Sequence, residues 1–265
     1  MTDTSTPFAA GILKDQVVFI TGGATGIGRG SAEILGGLGA KIFIASRRHE
    51  VIEEAVSQLS SKNIDAACAV CDVRDPVSVD KAVAQCVEWF DGLDVLINNA
   101  AGNFPCPTAE LSPNGWKTVI DIDLNGTFYC CRAAYPHLKE SKRGRIISIT
   151  TSLGRSGWPG AAHAGAAKAG ILSLMRALAV EWAPDNILVN SVAPGPIAGT
   201  IGVDKLYIET GREKEMTSRV ALGRCGEIAD IGNAIAYLCS PAGNYVTGLE
   251  MVVDGGRQWT FQPSQ

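Results

Sequence analysis

Seven short apolar runs recur along the chain, and stretches with helical spacing lie between them. The runs are QVVFI (16–20), KIFIA (41–45), AACAV (66–70), LDVLI (93–97), RIISI (145–149), ILVNSV (187–192) and LEMVV (249–253). The helical stretches fall near 26–38, 48–60, 76–90, 113–138, 161–182 and 227–239. A strand that is apolar throughout needs cover on both faces, and strand–helix alternation supplies it. The pattern predicts an α/β chain: a doubly wound, seven-stranded parallel sheet with helices on both faces. No linker, repeat or low-complexity stretch interrupts it, so residues 1–265 read as a single domain. The least regular segment, 196–224, is a candidate substrate lid.

Composition narrows the function. At 46% hydrophobic and 19% charged the chain is globular, and a net charge of −4 gives no general nucleic-acid or membrane surface. No apolar run reaches the roughly 18 residues of a membrane span. The start, MTDTSTPFAAGILKD, lacks a basic region followed by an apolar one, and the end, Pro263-Ser264-Gln265, is not a peroxisomal address. These absences point to the cytoplasm, with the peroxisome as the alternative. The eight cysteines read as reduced thiols. Cys68 and Cys71 sit in a strand-like run with no partner pair, so no metal is expected.

The first run leads into Thr21-Gly22-Gly23-Ala24-Thr25-Gly26-Ile27-Gly28. A glycine turn after a strand and before a helix suits a pyrophosphate on a helix N-terminus, as in Rossmann-type sheets. Gly22, Gly23, Thr25, Gly26, Ile27 and Gly28 are therefore candidate cofactor contacts. The second run ends Ser46-Arg47-Arg48, where an NAD site would place an acid for the ribose 2′-hydroxyl. A hydroxyl and guanidiniums suit a 2′-phosphate, so NADP(H) is expected on Ser46, Arg47 and Arg48. The alternative is a solvated helix start, although positive charge there opposes the helix dipole.

TGGATGIG, CDV (71–73), NNAAG (98–102), a lysine on the 161–182 helix and APGPIAGT (193–200) together resemble the short-chain dehydrogenase/reductase family over nearly the whole chain. Within it, NNAAGNFPCP and APGPIAGT look most like the peroxisomal-type 2,4-dienoyl-CoA reductases. The resemblance implies that Asp72 and Val73 meet adenine, that Asn99, Ala100, Ala101 and Gly102 border the cofactor, and that Lys168 holds the nicotinamide ribose. It also implies that Pro194, Gly195, Pro196, Ile197 and Thr200 wrap the nicotinamide and diphosphate. On the substrate side it implies Arg47 and Arg74 at the CoA phosphates, and Phe104, Ser112, Pro113, Asn114, Ser152 and Lys205 along an acyl-CoA. Ser112 also reads as a helix N-cap and Phe104 as core. A homotetramer built through the 113–138 and 161–182 helices is the family's common assembly.

The family's tetrad is Asn, Ser, Tyr and Lys. The lysine is Lys168, but the tyrosine position holds Ala164, and the serine position is Thr151 with Ser152 beside it. The asparagine position holds Asp123, in Asp123-Leu124-Asn125-Gly126. In the family the asparagine reaches the lysine through water, and the resemblance implies that Asp123 shares such a water with Lys168. A carboxyl relaying a proton there replaces the tyrosine; the alternative is a structural carboxylate that only neutralises Lys168. His163 is a second candidate acid, but it is rotated about 100° from Ala164 on a helix. His49 and His137 read as structural or solvated. The expected reaction is NADPH-dependent reduction of a 2,4-dienoyl-CoA. The alternatives are a ketoacyl or enoyl thioester reductase and a catalytically silent NADP-binding module.

Overall fold

The computed structural model of the protein describes residues 6–151 and 157–260, without the side chains of Ile201, Lys205 and Leu206. Seven parallel strands form one sheet: β1 Val17–Thr21, β2 Lys41–Ser46, β3 Ala66–Val70, β4 Val95–Asn98, β5 Arg145–Ile149, β6 Leu188–Pro194 and β7 Glu250–Val253. Their order is β3-β2-β1-β4-β5-β6-β7. The order reverses between β1, which registers Phe19 on Phe43, and β4, whose Leu96 also faces Phe19. A crevice opens outside the carboxyl ends at such a reversal, and ligands bind there.

Helices cover both faces. On one lie α1 Gly26–Gly37, α2 His49–Ser60 and α9 Ile228–Cys239. Their apolar stripes, including Ile34, Leu35, Ile231 and Ile235, pack on Val18, Ile20, Ile42 and Ile44. Each such side chain contributes about 1.5–3 kcal/mol by leaving water. Glycine sets the spacing of α1 against α9: a Cβ on Gly30 would stand 1.9 Å from Ile228 Cγ2, so Gly30→Ala would push the two helices apart. On the other face α3 Pro76–Phe90, α5 Gly126–Ser141 and α6 Ala162–Glu181 bury Phe19, Phe43, Cys86, Cys131 and Met175. Asp75 starts α3 by accepting from the Val77 N–H, with Pro76 at the first helical position. The cysteines are free thiols, and burial raises Cys71 to about 11 and Cys131 to about 12.

Two segments depart from the expectation. The helix expected at 113–138 is three pieces: α4 Pro113–Ile120, a π-helical turn Asp121–Asn125, then α5. The wider turn re-aims the residues within it, and π-turns cluster at functional sites. The 196–224 segment also carries short helices, α7 Ile201–Val203, a π-turn Asp204–Ile208 and α8 Glu213–Ser218. Its ends are tied together. The Gly226 N–H donates to Pro196 O at 2.9 Å, and the Ala198 N–H donates to Gly226 O at 2.9 Å. Among the described residues, no helix is long and apolar enough to cross a membrane.

Candidate active site

The glycine turn leaves β1 at the sheet's reversal. Gly22 and Gly26 take φ of +63° and +53°, a region that side chains resist. A Cβ on Gly28 would lie 2.5 Å from both Asn99 Nδ2 and Gly22 O. Asn99 braces the turn by donating to Thr21 O at 3.1 Å and Gly22 O at 3.0 Å. Thr21 Oγ1 accepts from the N–H groups of Asn99 and Ala100, both at 3.0 Å. Thr25 caps α1 without a side-chain bond, so the first-turn N–H groups face outward and fit a phosphate. Thr21 opens the TGGATGIG motif but was not a candidate contact; a hydroxyl ending a buried strand was its signal.

Ser46 is half-buried at the end of β2, with Arg47 and Arg48 exposed beyond it. Beside it, beyond the end of β3, Arg74 Nε donates to Asp72 Oδ1 at 2.9 Å and Oδ2 at 3.1 Å. These bonds hold the Asp72 carboxyl below the usual carboxylate range, with Arg47 adding to the effect. The Arg74 fork expected at a CoA phosphate is thus engaged with Asp72.

The π-turn carries Asp123 inward, where it is 1% exposed. Its Oδ1 accepts from the Gly102 N–H at 2.7 Å, and its Oδ2 lies 3.2 Å from Lys168 Nζ. The Lys168 ammonium also donates to Ile149 O at 3.0 Å. The two groups thus form a direct buried ion pair. A buried pair of this kind is costly to break, about 3–5 kcal/mol when one partner is lost. Gly102 and Ile149 act through main-chain atoms, which a residue-type pattern cannot reveal.

Asp123, Lys168 and Ala164 line one cavity of about 520 Å³, the scale of a ligand site. Ala101, Gly102, Phe104, Thr151, Pro194, Gly195, Pro196, Ile197 and Thr200 join them there, as do Ile27 and the unforeseen Trp158, Tyr207 and Arg257. Val73 does not line it; it packs on Gly126, where a Cβ would sit 2.9 Å from Val73 Cγ2. Ser112 caps α4, its hydroxyl accepting from the Gly115 N–H at 3.0 Å, with Pro113 and Asn114 in the first turn. Ser152 and the Lys205 side chain lie outside the described residues. His163 is fully buried with both ring nitrogens unpartnered, 4.6 Å from Phe104 edge to face, and does not line the cavity.

Known proteins resemble this chain over most of its length. A family model described as enoyl-(acyl carrier protein) reductase matches residues 22–258. A probable 2,4-dienoyl-CoA reductase [(2E)-enoyl-CoA-producing] of Bacillus subtilis is 39% identical over 93% of this chain and 98% of its own. A peroxisomal 2,4-dienoyl-CoA reductase [(3E)-enoyl-CoA-producing] of Pongo abelii is 42% identical over 96% of this chain and 87% of its own. The crystal structure of a short-chain dehydrogenase from Bacillus anthracis superposes with a TM-score of 0.86 at 39% identity, covering 95% of this chain and all of that one. The chain belongs to the short-chain dehydrogenase/reductase family, whose oxidoreductases use a nicotinamide cofactor.

Proposed function

We propose that this chain reduces a 2,4-dienoyl-CoA to an enoyl-CoA with NADPH. One observation carries the reading: a buried Asp123–Lys168 ion pair lines a ligand-sized cavity in which Ala164 stands at the tyrosine position. A carbonyl reductase protonates an oxygen, and a phenol at that position suits the task. A dienoyl thioester takes hydride at the far end of its conjugation and a proton at carbon, so the acid belongs elsewhere. The names of the relatives from Bacillus subtilis and Pongo abelii support the same substrate class.

The cofactor supplies the hydride when bound. Gly22 to Gly28 receive its pyrophosphate on the open end of α1, Asp72 meets adenine, and Ser46 and Arg47 take the 2′-phosphate. Lys168 holds the ribose. Asp123, oriented by the Gly102 N–H, relays a proton with Lys168 through water to the substrate carbon. Phe104 flanks the acyl chain, and the 196–224 segment covers it. Trp116, Phe128 and Val180, exposed on α4, α5 and α6, support association of those helices into a homotetramer.

The test is initial-rate NADPH and NADH oxidation with a 2,4-dienoyl-CoA, a 3-ketoacyl-CoA and an enoyl-CoA. The dienoyl-CoA should be turned over fastest, and NADPH should be preferred. Faster turnover of the ketoacyl substrate would overturn the reading. Product NMR then locates the proton. Delivery next to the thioester carbonyl leaves a 3-enoyl product, and delivery two carbons further leaves a 2-enoyl product.

A further inference from the structure

A second recess of about 670 Å³ adjoins the catalytic cavity, and Asn103, Pro105, Trp158, Tyr207 and Arg257 line both. Its remaining wall carries Arg212 and Arg219. Three guanidiniums thus face one space with a single carboxylate among them. Glu215 takes the Arg212 fork, Nε to Oε2 at 2.7 Å and Nη2 to Oε1 at 3.0 Å, and also Arg219 Nη2 at 2.8 Å. Hydrogen bonding from Arg212, first, holds the Glu215 carboxyl below the usual range, so it stays an anion.

Arg257 has no share in that carboxylate. Among the described residues no carboxylate oxygen lies within 4.0 Å of it. Its side chain makes one long bond, Nη2 to Tyr207 Oη at 3.4 Å. Asp254, three residues earlier, is committed elsewhere: its oxygens accept from the N–H groups of Gly256 and Gln258, both at 2.9 Å. A half-buried guanidinium with no counter-charge is unfavourable by itself and suits a site where an oxyanion arrives with the ligand.

We propose that this recess is an oxyanion subsite of the substrate pocket, in which Arg257, backed by Arg212 and Arg219, binds a carboxylate or phosphate carried by the acyl thioester. The ligand's identity rests on the acyl-thioester reading of the cavity. The oxyanion has two sources: a phosphate of the CoA, or a carboxylate at the end of a dicarboxylic acyl chain. Either is a planar or trigonal oxygen array that a guanidinium fork matches.

Equilibrium binding separates them without any turnover. Decanoyl-CoA, the mono-CoA thioester of decanedioic acid and decanoyl-pantetheine are titrated into the NADP-saturated protein and Arg257→Gln, with the heat of binding as the signal. With a carboxylate as the source, the dicarboxylic thioester binds the parent about tenfold or more tighter than decanoyl-CoA, and Arg257→Gln erases the gap. With a phosphate as the source, both CoA thioesters bind alike and about tenfold or more tighter than decanoyl-pantetheine, and Arg257→Gln erases that gap instead. Unchanged NADP affinity shows that the variant is folded. Affinities within twofold of the parent for all three ligands would overturn the subsite. If the parent itself binds none of them, the acyl-thioester reading falls, and the assigned ligand falls with it.

Discussion

Asp123 and Asp72 each meet a cation at the carboxyl end of the sheet, one with its side chain 1% exposed and the other 30%. Asp123 has a main-chain N–H on one oxygen and an ammonium on the other, inside a cavity wall. Asp72 lies on the rim, chelated by a guanidinium two residues away. Water screens the second pair, which is therefore worth little in energy and free to trade partners when a ligand arrives. Burial makes the first pair expensive to break. The buried arrangement fixes its carboxylate in place, and the exposed one leaves its carboxylate open to an arriving ligand.

Changing the buried pair should have the largest effect. Asp123→Asn is nearly isosteric and restores the family's amide, yet single-turnover dienoyl-CoA reduction should slow by about 10²–10⁴, with NADPH affinity little changed. A rate within threefold of the parent would make Asp123 structural. Tyrosine at Ala164 should not rescue that variant, because a phenol there addresses an oxygen and not a carbon.

Arg47→Ala tests the exposed side. Loss of one charge-assisted bond to the 2′-phosphate should weaken NADPH about tenfold or more and leave NADH untouched, as fluorescence titration reads. Equal affinity of the parent for both cofactors would remove the 2′-phosphate site altogether.

His163 probes the boundary between the two environments. It is buried like Asp123 but bonded to nothing, and so His163→Ala should keep kcat within about tenfold, below the 10²–10⁴ of a general acid. A larger fall would shift the acid from Asp123 to the imidazole.

The smallest effect belongs to Arg74→Gln. Arg74 depresses the Asp72 carboxyl, so the pair stabilises the fold fully above the unfolded-state carboxylate pKa. That contribution disappears as pH falls through the lower folded value. The Tm gap between parent and variant should thus be open at neutral pH, worth no more than about 1 kcal/mol, and close once both carboxyls are protonated. A gap that widens in acid would contradict the assignment.

Much of this was legible in the sequence because strand period and glycine turns act locally. The seven runs became seven strands, and the turn after β1 landed at the sheet's reversal. The π-turn was not legible. Helical spacing over 113–138 is unbroken, and the widening at Asp121–Asn125 goes with a contact from another element, Val73 against Gly126. For the same reason the sequence supplied Asp123 and Lys168 but not how closely the two approach. Arg257 escaped notice because its meaning lies in having no carboxylate beside it among the described residues, and only neighbouring elements decide that.

The tied ends of the 196–224 excursion have an evolutionary consequence. Pro196 and Gly226 exchange main-chain bonds at one point, so the chain leaves the sheet and returns through a narrow neck. What lies beyond the neck can lengthen or shrink while β6 and α9 stay put, since doubling a loop's length costs only about 0.6 kcal/mol in closure entropy. Tyr207, Arg212 and Arg219 all sit on that excursion, whereas Asp123 and Lys168 do not. The residues beyond the neck can therefore be exchanged as a cassette, with Asp123 and Lys168 inherited unchanged.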